Sequence, residues 1–205
     1  MSNKYEDVLR LGLTRVDQKQ YNDSKNLFLQ LIKIDPTRYE GYLNLSNILL
    51  IENKENEAKA ILQKYLKNIR PHPEIINGLS IILFNSKNFI ELNNHIDTYL
   101  NSNNNYLLNY LKGCCLNNNN KTIQAEKYLY ESIRLNNQFW RSYEMLFNIF
   151  DLRSKISEMG NLVKDAKKIF NENIKFIYFE ALYYYRSSEY NYCNKILNKE
   201  SVIKI

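Results

Sequence analysis

The chain has 205 residues, 44% of them hydrophobic and 24% charged, and a formal net charge of +6. Its 5 glycines and 3 prolines are too few for a turn-rich β-sandwich, which spends such residues about every 8–12 positions. The basic excess lies in the C-terminal half and is too thin for a concentrated polyanion-binding face, which argues against a nucleic-acid partner, while the longest apolar stretch, around Ile48–Ile51, is far short of a bilayer span.

Taken in chain order, the predicted elements are helices. Tyr5, Val8, Leu11, Gly12 and Arg15 follow a helical spacing. Lys19-Gln20-Tyr21-Asn22-Asp23-Ser24 then leads into a second helix through Phe28 and Leu31, which ends at Ile34-Asp35-Pro36 because proline cannot continue it. The same pattern returns with a period of about 34 residues, next at Tyr42, Leu45 and Leu49, with Pro71 as the later stop. Self-comparison divides the chain into helix-turn-helix segments at 5–38, 39–72, 73–105, 106–139, 140–173 and 174–205. The asparagine runs Asn101–Asn105 and Asn117–Asn120 read as loops, and the last segment stops in mid-unit at the apolar tail Ser201-Val202-Ile203-Lys204-Ile205.

These segments resemble the tetratricopeptide repeat (TPR). In that family a small residue of the first helix faces a small residue twelve positions later in the second, as Gly12 with Ser24, Ser46 with Ala58, Gly113 with Ala125 and Ala181 with Cys193 do here. The family's large residue near the start of the second helix is matched by Tyr21, Phe89, Ile156 and Tyr190, whereas Glu55 and Thr122 depart from it. Repeats three and five are degenerate, since Ser80 faces Leu92 and Phe147 faces Met159, so altered packing is expected there. The resemblance implies an all-α fold, a right-handed superhelical solenoid of about six units whose first helices line a concave groove. An unfinished last unit is also similar to the N-terminal repeat regions of TPR-containing bacterial sulfotransferases and glycosyltransferases, although no phosphosulfate-binding loop is present.

Chemistry-bearing residues are sparse. His72 and His95 lack a companion at metal-ligand spacing, and the five glycines are isolated, so neither a metal centre nor a phosphate-cradling loop is expected. Cys114, Cys115 and Cys193 form no disulfide framework and read as buried structural thiols. Tyr183-Tyr184-Tyr185 points three ways on a helix, which favours packing plus interface over base stacking. The N-terminus has acids where a secretory signal would be basic, and a reducing, cytoplasmic setting is expected. No enzymatic activity and no cofactor are expected.

The working surface implied by the resemblance is the groove. The family's two-carboxylate clamp is absent, and of its asparagine ladder only Asn44 remains. What recurs is charge at the second position of each unit: Glu6, Glu40 and Glu74, later Arg141 and Lys175. Between these rims the expected partner-binding residues are Leu9, Leu13, Leu43, Asn47, Asn77, Ile81, Tyr110, Asn148 and Tyr178. A scaffold binding a protein or peptide is the leading reading, with an adjoining domain of a longer chain, such as a transferase, as the alternative.

Overall fold

The computed structural model describes residues 4–170 and 173–198, and among them every regular element is a helix. In the first half these are α1 (Lys4–Asp17), α2 (Tyr21–Ile34), α3 (Tyr39–Ile51), α4 (Glu55–Asn68), α5 (Pro73–Asn85) and α6 (Phe89–Tyr99). The second half holds α7 (Tyr106–Asn118), α8 (Thr122–Leu135), α9 (Trp140–Leu152), α10 (Ile156–Phe170), α11 (Ile174–Arg186) and α12 (Tyr190–Leu197). The apolar tail Ser201–Ile205 lies outside the described residues. The chain divides into two compact units between Asn103 and Asn104.

Each turn inside a hairpin is built the same way. Lys19, Asn53, Lys87, Asn120, Ser154 and Ser188 have φ between 54° and 65°, and the next residue donates its N–H back across the helix end, as Gln20 does to the Arg15 carbonyl at 2.8 Å. This is the Schellman stop, which usually takes glycine at the left-handed position. Here ordinary side chains occupy it, which is how a chain so poor in glycine still makes six sharp turns.

Within each unit, successive helices pack on one another, and first helices also touch directly, α3 on α5 and α7 on α9. The core is aromatic and aliphatic: Phe28, Leu31, Leu45, Leu62, Ile75 and Leu92 in the first unit, Leu129, Phe147, Phe150 and Phe176 in the second, all essentially without solvent exposure. Burial of such side chains stabilises by about 1.5–3 kcal/mol each. The most extensive helix–helix contact is between α7 and α8. Gly113 permits it, because a Cβ there would stand 2.7 Å from Leu129 Cγ. A Cβ on Gly12 would likewise meet the Phe28 ring at 2.7 Å. The degenerate hairpins α5–α6 and α9–α10 make the least extensive contact of the described hairpins, and Leu92, Phe147 and Met159 are buried there where small residues stand elsewhere.

One packing device recurs that the spacing does not announce. The residue just ahead of a first helix lays a flat group on the tyrosine that opens the preceding unit. Arg38 lies 3.8 Å over the Tyr5 ring, His72 stacks on Tyr39 at 3.8 Å, and Phe139 packs on Tyr106 at 4.9 Å.

Candidate partner-binding surface

In the first unit, α1, α3 and α5 each present a pair of residues one turn apart: Leu9 and Leu13, Leu43 and Asn47, Asn77 and Ile81. Residues four apart share a helix face, so these pairs form three parallel stripes. Leu13, Asn47 and Ile81 are exposed, while Leu9, Leu43 and Asn77 are half-buried. Leu43 sits against Gly78, where an added Cβ would come within 3.0 Å of it.

The acidic rim differs from the expectation of three carboxylates open to a partner. Arg38 donates to Glu6 Oε1 at 2.6 Å and also bonds both oxygens of Glu40, so two of the three acids are already neutralised from within the unit. Tyr5 donates its hydroxyl to Glu40 Oε2 at 3.4 Å, and burial together with the Glu40 charge pushes its phenol up to about 12. Burial acts to raise the Glu40 carboxyl, but the Arg38 bonds outweigh it and hold that group below the usual carboxylate range. Glu74 alone of the three has no ion-pair partner among the described residues.

In the second unit, Tyr110 requires a correction. It is only 7% exposed, its ring packs on Phe139 at 5.2 Å, and its hydroxyl is bonded to the Cys114 thiol. It belongs to the core because α7 is buried on nearly every side. The Cys114 thiol is pushed up to about 12 by burial, so it is not a ready thiolate; Cys115 and Cys193 are buried too.

The other second-unit candidates do come together. Asn148, Lys175 and Tyr178 line a cleft of about 400 Å³ between α9 and α11, with Glu144, Ile174 and Phe179 completing it. Two ion pairs bridge the helices: Lys175 Nζ to Glu144 Oε1 at 3.7 Å, and Arg186 to Asp151 at 2.6 and 3.1 Å. Asn148 lies between Glu144 and Asp151 on α9, one turn from the first, and its amide is exposed. The Tyr178 ring is 59% exposed. Arg141 is exposed on the first turn of α9. Glu144 is a cleft residue that the charge pattern passes over, yet it stands 34 residues before Tyr178, so the repeat itself marks it.

Two further clefts open on the opposite side of the first unit, between second helices. One, of about 360 Å³, lies between α4 and α6 and contains His95, whose Nε2 is 3.1 Å from the Ile76 carbonyl and whose pKa burial pushes down. The other, of about 340 Å³, lies between α2 and α4 over Leu45 and Leu49. Among the described residues no group of three or more His, Cys, Asp or Glu side chains is placed to hold a metal ion, and no helix is long and apolar enough to cross a membrane.

Comparison with known proteins bears on the fold. The tetratricopeptide repeat family model matches residues 39–71. No curated protein is a significant match to the chain in sequence. Among solved structures, Pseudomonas aeruginosa PilF is similar at TM-score 0.72 and 14% identity, covering 98% of this chain and 95% of that one. PilW, a type IV pilus biogenesis factor, is similar at TM-score 0.72 and 16% identity, covering 98% of each chain. YrrB, a TPR protein with an unusual peptide-binding site, is similar at TM-score 0.64 and 16% identity over 86% of this chain and 90% of that one. These likenesses lend no support to the transferase-module alternative. Residues 39–71 are a tetratricopeptide repeat, and the fold around them is that of tetratricopeptide-repeat proteins.

Proposed function

We propose that this chain is a non-catalytic scaffold, a run of six TPR units that binds a protein or peptide partner on the exposed faces of its first helices. The observation that carries the reading is the α9–α11 cleft. It joins an apolar floor at Ile174 and Phe179 to an exposed tyrosine ring, a free asparagine amide and a lysine held loosely by Glu144. An amide that both donates and accepts suits the backbone of an extended segment, an exposed tyrosine packs an apolar side chain, and Lys175 with Arg141 favours a carboxylate nearby. The stripes of α1, α3 and α5 offer a second stretch of the same kind, with Leu13 and Ile81 as its exposed apolar positions. The peptide-binding site of YrrB, a protein of the same fold, supports this reading.

The test is a selection of peptides from a random displayed library on the intact chain, followed by titration of the enriched sequences against variants. Tyr178→Ala and Asn148→Ala should each weaken binding by about tenfold or more if the α9–α11 cleft is used. Leu13→Asp with Ile81→Asp should do the same for peptides seated on the first unit. Peptides that bind all three variants as tightly as the parent would place recognition elsewhere and overturn the proposal.

A further inference from the structure

The α2–α4 cleft lies on the side of the first unit away from the surface just described. Its lining comprises Lys25 and Leu29 of α2, Leu45 and Leu49 of α3, and Glu57, Ala60, Ile61 and Lys64 of α4. The α4 residues are spaced i, i+3, i+4, i+7, so they form one straight stripe along the helix. The stripe reads acid, small, apolar, base. Glu57 and Lys64 have no ion-pair partner among the described residues. Neighbouring charges are already committed: Lys25 is held by Glu52 at 3.2 Å, Lys54 by the same carboxylate at 2.7 Å, and Lys59 by Glu91 at 2.6 Å. Lys67 lines the α4–α6 cleft instead.

Such a stripe is complementary to itself when reversed. If two copies of α4 lie antiparallel about a two-fold axis between Ala60 and Ile61, each Glu57 falls opposite the other copy's Lys64, about 10.5 Å along the helix from its own Lys64. Ala60 then falls opposite Ile61, and the small side chain allows the axes to approach to the usual packing distance of about 8–10 Å. Leu29, 39% exposed beside the stripe, supplies further apolar surface on each flank. A two-fold contact requires that the same patch serve both partners, residue i meeting j and j meeting i. This patch meets that condition in polarity and charge.

We infer that the α2–α4 face of the first unit is the docking surface for a second copy of this chain, with α4 packed antiparallel on α4. The interface leaves the first-helix surface free, so a dimer would present two copies of the peptide-binding face and gain affinity for a repetitive or multimeric partner by linkage.

The test is sedimentation of the full chain over a concentration range from low to high micromolar. The parent should show a reversible monomer-dimer equilibrium. Glu57→Lys and Lys64→Glu should each weaken self-association by about tenfold or more, because each places like charges opposite one another. The double variant E57K/K64E should recover the parent's behaviour. Mixing the two single variants should yield a heterodimer tighter than either homodimer, since each introduced charge then faces its opposite; that result also shows both variants to be folded. A parent that stays monomeric throughout overturns the inference, as does a dimer indifferent to both reversals or one that the double variant fails to restore. Peptide binding lost at Tyr178→Ala while dimerisation persists separates this surface from the one proposed above.

Discussion

Lys87 closes the α5 helix at φ 57°, a conformation that costs a residue with a Cβ about 1–2 kcal/mol. Glycine would relieve that strain and lose about 0.5–1 kcal/mol through its greater freedom when unfolded. Lys87→Gly should therefore raise stability by about 0.5–1 kcal/mol, read as a higher urea midpoint at unchanged slope. A second residue-scale expectation concerns Glu40. Its carboxyl is held below the usual range in the folded state by Arg38, so its contribution is present above the ordinary carboxylate pKa and is lost as pH falls through the folded value. Glu40→Gln should cost about 1 kcal/mol at neutral pH, discounted for partial exposure. The gap between variant and parent should close in acid, and a gap that persists there would show the pair to matter through shape alone. At this scale the sequence was least legible. The flat group laid on Tyr5, Tyr39 and Tyr106 is a guanidinium, an imidazole and a phenyl in turn, alike in shape but not in residue type. Likewise the six left-handed turn residues are lysines, asparagines and serines, none of which marks a turn as glycine does.

Gly113 and Phe147 occupy the same register position in their first helices, 34 residues apart, and the hairpins have adapted to them in opposite ways. Around Gly113 the Leu129 side chain of α8 presses on α7 until no Cβ fits, whereas α9 and α10 contact each other less extensively around the buried Phe147 ring. Exchanging the two should destabilise in both directions. Gly113→Phe should overpack by about 1–3 kcal/mol or more; Phe147→Gly should leave a cavity costing about 3–5 kcal/mol and lose further helix propensity. Thermal melts followed by circular dichroism would check this, and a tolerated Gly113→Phe would mean the close approach is not a constraint. This part of the fold was legible. Small-residue spacing pointed to tight crossings at Gly12, Ser46, Gly113 and Ala181 and to altered packing in repeats three and five, because backbone approach depends directly on side-chain size; a Cβ is shut out at Gly12 and Gly113. Tyr110 was misread for a related reason: its register matches the exposed Tyr178, but α7 is enclosed where α11 is open, and burial depends on neighbours that a one-helix pattern does not encode.

Across the whole molecule, a period of about 34 residues runs the length of the chain, and the chain resolves into two compact units. The period records where each hairpin starts; it does not record how strongly successive hairpins hold one another. That strength varies within the first unit, where α2 packs more extensively on α3 than α4 does on α5. In repeat proteins stability is a sum of hairpin terms and nearest-neighbour terms, so unfolding should follow that unevenness and not be all-or-none. The peptide between α6 and α7 carries exposed Asn101 and Ser102 in a non-helical stretch, the kind of site at which proteases cut first. Brief digestion with a broad-specificity protease should cleave between Leu100 and Asn105, leaving two fragments that each keep a helical circular dichroism spectrum. Hydrogen exchange gives the complementary reading. Gly113→Phe should speed exchange in α7 and α8 while α1 to α4 keep the protection of the parent, because a hairpin passes its loss to adjacent hairpins and not across the molecule. Equal loss of protection in all the described helices, or first cleavage inside a hairpin turn, would show the chain to be a single cooperative unit despite its division.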